Sequence, residues 1–287
     1  MVQGVLDHRG RLLHQTPVDL PGPRMPHDMW VSRRHTIVHD LPLIWDEEAY
    51  AKGRVKLRFE ETWTTRFGVI PRHGAADEMR WYEFAPCYLL HTINAWEEGD
   101  WLHLAGCRIE PFRDAQGNPD LQSIVTIMGR HRLNARLYRW SINLATGQCK
   151  EGPLDDRWNA EFPTWNNAAM GTAMRHAYCA EIATEPTLHF PGLLRFDLET
   201  GASEHYSEGP GHTYSEAVFA PARDAAGQDD GYVVSFVRNE AEARSEVHIF
   251  AAQDFAAGPV CKLILPCRVP DGFHATWARG DLLARVG

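Results

Sequence analysis

The sequence predicts an all-β chain forming part of a β-propeller, and three observations point there. Short runs rich in aromatic and β-branched residues, each bounded by turn residues, recur along the chain. One hairpin plan returns roughly every 55 residues. Ten Trp, twelve Phe and eight Tyr accompany 18 Pro and 23 Gly, a balance that favours strands and turns over helices.

In chain order, "VLDHRGRLLHQTPV" (5–18) reads as a hairpin. "HTIVHDLPLIW" (35–45), "VKLRFEETW" (55–63), "TRFGVIP" (65–71) and "MRWYEF" (79–84) read as strands. "DEEAYAKG" (46–53) is the best candidate for a short helix, and no stretch keeps a helical period beyond about two turns. The repeat follows. "LYRWSINLATGQCKEGP" (137–153) and "LLRFDLETGASEHYSEGP" (193–210) share an apolar strand, Asn/Asp-Leu, a Thr-Gly turn, a polar strand and Glu-Gly-Pro. Residues 5–18 and "VHIFAAQDFAAGPVCKLILP" (247–266) are weaker copies. Turn glycines stand at 147, 201 and 258. Strand units of about 50 residues are the mark of propeller blades; a β-sandwich with two similar hairpins is the alternative.

At about 50 residues per blade, 287 residues hold five or six blades, read as one partial-propeller domain over 1–287. The chain opens directly on a hairpin, so a ring that closes first blade on last would lack part of its start. A preceding segment is expected.

A formal net charge of -9 argues against nucleic acid as the main partner. No run approaches the about 18 apolar residues of a membrane span, and the first residues lack the apolar core of a signal peptide. The expectation is a soluble, cytoplasmic protein. Six cysteines at 87, 107, 149, 179, 261 and 267 form no C-x-x-C pair and read as buried thiols.

Fifteen histidines are many. His8, His14, His73, His131, His205 and His212 lie in turn-like or polar contexts and read as ordinary. His35 and His39 share a strand face about 13 Å apart at about 3.3 Å per residue, too far to share a metal. His27 in "PRMPHDMWV", His91 in "CYLLHTINAWEEG" and His274 in "VPDGFHATWA" differ: each sits among apolar residues near a chain-bending Gly or Pro. Each is either a metal ligand or a core imidazole bonded to backbone. Glu161 in "NAEFPTW" and Glu216 in "TYSEAVFAP" are carboxylates in apolar surroundings, where each needs a partner. Metal-bound imidazoles commonly donate their second N–H to a carboxylate, so three His and two Glu suit a metal on a propeller axis.

The segments "VDLPGPRMPHDMWV", "RFGVIPR", "LLHTINAWEEGDWLHLAGCR", "EFPTWN", "LYRWSINLATG", "DDGYVVSFV" and "LPCRVPDGFHATWA" occur in the order of a known family. The chain resembles the carotenoid cleavage oxygenases, with their bacterial lignostilbene dioxygenase relatives, from about residue 5 to residue 278. The resemblance implies a seven-bladed propeller holding a non-haem Fe(II), which cleaves an alkene C=C of an apocarotenoid or stilbenoid with O₂ to give two carbonyls. Carried over by motif, the ligands are His27, His91 and His274, with Glu161 supporting His91 and Glu216 supporting His274. Glu97 and Glu98 read as turn residues that mark the His91 motif. The metal and O₂ carry the reaction, so no separate general acid or base is implied.

The family's first histidine, and the glutamate that supports its second, lie upstream of "VDLPGPRMPHD". By the resemblance, this chain therefore supplies three of four ligands and about five of seven blades, an N-terminally truncated propeller. The alternative function is a non-catalytic propeller fragment that binds an apolar ligand or a protein partner. A metal-dependent hydrolase or lactonase propeller fits less well, because Ca²⁺ sites of that kind use oxygen donors rather than imidazoles.

Overall fold

Alternation of apolar and polar residues sorts the chain into antiparallel sheets in a computed structural model that describes residues 1–125, 132–184, 188–270 and 272–283. His131 lies outside the described residues. The chain divides into two compact units, Met1–Asp156 with Met170–Ala173, and Arg157–Ala169 with Met174–Gly287.

The first unit holds a hairpin, Val2–Leu6 with Leu12–Pro17, and two four-stranded sheets. One sheet orders Trp30–Val31, His35–Asp40, Thr65–Pro71 and Arg80–Phe84. The other runs from the edge strand Tyr88–Glu98 through Trp101–Ile109 and Ala135–Asn143 to Cys149–Asp155. The apolar run 35–45 breaks at Pro42, which has no N–H for the ladder; Leu43–Trp45 instead pairs with Leu57–Phe59. The helix Glu47–Ala51 lies between them, capped by Asp46, whose Oδ1 accepts the Ala49 amide at 2.9 Å. Two aromatic rings, Phe67 and Trp140, meet Trp30 edge-on at 4.9 and 5.6 Å in the core of this unit.

In the second unit a four-stranded sheet orders Ala160–Thr164, His176–Glu181, Leu193–Asp197 and Ser203–Tyr206. A five-stranded sheet is built on Gly231–Asn239, which pairs with His212–Tyr214 and Val218–Pro221 on one side and with Arg244–Ala251 on the other. Pro259–Ile264 forms its edge. Tyr178, Phe196, Phe250 and Phe255 are fully buried here.

The sequence repeat is a repeat of turn chemistry. Asn143 Oδ1 accepts the amides of Ala145 and Thr146, and Asp197 Oδ1 accepts those of Glu199 and Thr200. Thr146 and Thr200 hydroxyls then take the amides two residues on. Gly147 and Gly201 close both hairpins at φ 77° and 74°, where a side chain is disfavoured. The weaker copy at 247–266 departs from this plan: the 3₁₀ segment Ala252–Ala257 replaces the tight turn. Among the described residues, four sheets of four or five strands, together with the opening hairpin, give five blade-like units of the all-β, partial-propeller class.

The cysteine expectation is corrected in part. Cys87, Cys107 and Cys179 are buried, but Cys149 is half-buried, and Cys261 and Cys267 are exposed. Cys261 lies on the edge strand Pro259–Ile264, which packs against a neighbour on one side only. Among the described residues no helix is long and apolar enough to cross a membrane.

Candidate metal centre

His91 projects from the irregular part of its strand. In the pairing of Tyr88–Glu98 with Trp101–Ile109, Ala105 stands opposite Asn94, Gly106 opposite Thr92 and Arg108 opposite Leu89. The His91 strand thus carries an extra residue on each side of Thr92, and such bulges twist a strand and re-aim its side chains. Gly106 serves the same place. A Cβ there would stand 3.2 Å from Trp30 Cζ2 and 3.2 Å from Leu89 Cδ2.

The neighbouring segment brings His27 to this strand. Trp30 is 1% exposed, and its indole N–H donates to the Ala105 carbonyl at 2.7 Å. At the other end, the Tyr88 hydroxyl donates to the Met25 carbonyl at 3.0 Å. Between these anchors, Asp28 Oδ2 accepts the Thr92 amide at 2.8 Å and its hydroxyl at 2.7 Å. The His27 and His91 rings meet edge-to-face, their centres 5.2 Å apart and their planes at 78°. Two imidazoles that bind one ion at about 2.1 Å have ring centres about 5 Å apart. The observed spacing fits a shared ion.

Within the second unit, Nδ1 of His274 lies 2.8 Å from Glu216 Oε1, and the Ala275 amide donates to Oε2 at 2.6 Å. Glu216 is buried, whereas the His274 side chain is 59% exposed. This is the arrangement in which a carboxylate takes the Nδ1 proton and leaves Nε2 for a metal. Glu161 is fully buried at another bulge: Glu161 pairs with Ala180 but Thr164 with Tyr178. Its carboxylate accepts the amide of Phe162, which adopts φ 55°, a left-handed conformation that an aromatic residue rarely takes. The Phe162 ring lies 5.9 Å from both Phe273 and His274. Among the described residues, no group of three or more His, Cys, Asp or Glu converges closely enough to hold a metal. What the structure brings together is two pairs, His27 with His91 and His274 with Glu216.

Glu97 requires a correction. It is no bare turn residue: it lies in the strand Tyr88–Glu98 and accepts from Ser32 Oγ at 2.6 Å and His35 Nδ1 at 2.9 Å. Burial would raise its carboxyl pKa, but those hydrogen bonds and the Arg34 charge outweigh burial and hold it below the usual range. His39, on the same strand as His35, is 1% exposed with neither ring nitrogen hydrogen-bonded among the described residues. Burial pushes its pKa down to about 4, against a smaller opposing effect of the Asp28 charge. Asp28, Thr92, Trp30 and Gly106 escaped the sequence reading. The available signal was a polar Thr92 inside the apolar run beside His91, and an Asp directly after His27.

Comparison with known proteins agrees with this architecture. Residues 2–279 match the family model RPE65, retinal pigment epithelial membrane protein. The chain is 32% identical to a carotenoid 9,10(9',10')-cleavage dioxygenase of Crocus sativus, over 97% of this chain and 53% of that protein. It is 28% identical to resveratrol cleavage oxygenase 1 of Aspergillus fumigatus, over 89% of this chain and 54% of that protein. The crystal structure of Pseudomonas brassicacearum lignostilbene dioxygenase superposes with a TM-score of 0.83 at 27% identity, covering 97% of this chain and 60% of that one. The chain spans about half the length of the curated relatives it matches. Sheet plan, motif order and match over nearly the whole chain agree: the chain belongs to the RPE65 family, that of the carotenoid and stilbene cleavage oxygenases.

Proposed function

We propose that this chain supplies His27, His91 and His274 to a non-haem Fe(II) centre of a dioxygenase that cleaves a C=C bond of an apocarotenoid or stilbenoid. Glu216 supports His274 and Glu161 supports His91. The observation that carries the reading is the edge-to-face contact of His27 and His91 at 5.2 Å in a member of this family.

Bound Fe(II) would supply the activation of O₂ for oxidative cleavage to two carbonyl products. The chain's own residues do the rest. Neutral imidazoles suit Fe(II) and leave its positive charge uncompensated. Glu216 accepts a hydrogen bond from Nδ1–H of His274 and so leaves the lone pair on Nε2. Phe162 and Phe273 set an apolar wall beside His274, which suits a conjugated hydrocarbon better than a charged substrate. No general acid or base is assigned. The acidic composition argues against nucleic acid as a partner, and we place the reaction in the cytoplasm.

The test is iron content and O₂ consumption of the purified chain with a stilbene and with an apocarotenal. Near-stoichiometric Fe(II), lost in His27→Ala, His91→Ala and His274→Ala and kept in His205→Ala, is the expected result. A chain without iron or O₂ uptake that still binds the stilbene is instead a non-catalytic propeller with an apolar ligand. The exposure of His274 is the observation on that side.

A further inference from the structure

We infer that Asp28 and Thr92 form a positioning clamp that sets His27 against His91 before any metal arrives. The inference rests on the proposed ligand pair but concerns the metal-free chain.

Tyr88–Glu98 is an edge strand, so its outward amides have no ladder partner of their own. Asp28 takes one of them. Its Oδ2 accepts both the Thr92 amide at 2.8 Å and the Thr92 hydroxyl at 2.7 Å. Its Oδ1 accepts the Met29 amide at 2.7 Å, which fixes the carboxylate to its own backbone. The two donors belong to the residue next to His91, and the acceptor belongs to the residue next to His27. Each imidazole is therefore one peptide unit from the clamp. Thr92 is buried, at 5% exposure, and Asp28 is half-buried, so these charge-assisted bonds are partly shielded from water.

The other anchors act further along the chain from His27. Trp30 and Tyr88 hold the segment at Ala105 and Met25, two or three residues from His27 on either side. The Asp28 contact acts on the residue adjacent to His27, and the bulge at Thr92 turns that amide and hydroxyl toward one oxygen, with the Met29 carbonyl 3.3 Å from the same hydroxyl. A ligand pair ordered in advance avoids the conformational cost of ordering it on binding. Asp28 and Thr92 are positioning residues: they act through the two imidazoles.

The experiment compares wild type with Asp28→Ala, Thr92→Val and Thr92→Ser, all metal-free and all first shown folded by near-ultraviolet circular dichroism. The first readout is the nuclear Overhauser contact between the His27 and His91 ring protons. It is expected in wild type and Thr92→Ser, weakened in Thr92→Val, which keeps only the amide bond, and absent in Asp28→Ala. The second is Co(II) titration followed by its ligand-field spectrum, with affinity lowered about 10–100-fold in Asp28→Ala and kept at the wild-type level in Thr92→Ser. A ring contact that survives in Asp28→Ala, or is missing in wild type, overturns the clamp. A wild type that shows the contact but takes up no Co(II) upholds the clamp and overturns the metal reading instead.

Discussion

His274 and Glu216, 58 residues apart in sequence, are joined Nδ1 to Oε1 at 2.8 Å, and the second carboxylate oxygen takes the next amide, that of Ala275, at 2.6 Å. One buried carboxylate thus fixes both a ring and the backbone that carries it. Glu216→Ala leaves the Ala275 amide and the His274 Nδ1 without this acceptor, at a cost of about 1–3 kcal/mol. Urea unfolding should show that loss. Iron or Co(II) affinity should fall about 10–100-fold, as for other carboxylates that orient a metal-bound imidazole. Unchanged metal affinity in a folded Glu216→Ala chain would separate this pair from any metal site.

Trp30 links the core to the ligand pair, and its removal should be felt in both. It is fully buried, packs edge-on against Phe67 and Trp140, and donates to Ala105. Trp30→Ala should cost about 3–5 kcal/mol, the range for emptying an aromatic core site. Gly106→Ala would bring a methyl group to 3.2 Å from the same ring and should cost less, about 1–3 kcal/mol through overpacking. Chemical denaturation that ranks Gly106→Ala above Trp30→Ala in damage would contradict this.

The two hairpin turns were legible in the sequence, and the clamp was not, for one physical reason. Asn143 and Asp197 bond amides two and three residues ahead, so residue type and spacing declare the turn. His27, His91, His274, Glu161 and Glu216 stood out because polar groups in apolar runs are costly and need partners. Asp28 bonds Thr92 across 64 residues, and Glu97 bonds His35 across 62. Local pattern carries no trace of such a pairing. The bulges around Thr92 and Glu161 depend likewise on register with another strand.

Glu97 ties the turn at Ser32 to the strand that carries His91, so its loss should loosen that turn. Glu97→Ala removes the acceptor of Ser32 Oγ and His35 Nδ1, at an expected cost of about 1–3 kcal/mol. Because its folded pKa lies below the usual carboxylate range, its contribution is present at neutral pH and fades as acid protonates the folded chain. The difference in unfolding free energy between wild type and Glu97→Ala should therefore shrink with falling pH. A difference that grows toward acid would refute the assignment.

His39 predicts the opposite kind of group acting in a milder pH range. Its pKa falls from 6.5 to about 4 on folding because the buried ring cannot take up water with its charge. Above 6.5 the imidazole is neutral in both states, and the native state bears no penalty. Between 6.5 and about 4 the unfolded chain binds a proton that the folded chain refuses, so stability falls as pH falls. At 1.36 kcal/mol per pH unit the full loss is about 3 kcal/mol. His39→Leu, similar in volume and unable to titrate, should make the stability profile less steep between pH 6.5 and 4.5, where His103, His176 and His248, also lowered by burial, keep their share. Carboxylates that their hydrogen bonds hold low interfere little in that window. Glu246, for one, is held at about 2: burial would raise it, but His248, Arg244 and Asn239 hydrogen bonds prevail. Its loss comes at more acid pH. Equal slopes for wild type and His39→Leu between pH 6.5 and 4.5 would show that the buried ring is not the source of the acid sensitivity.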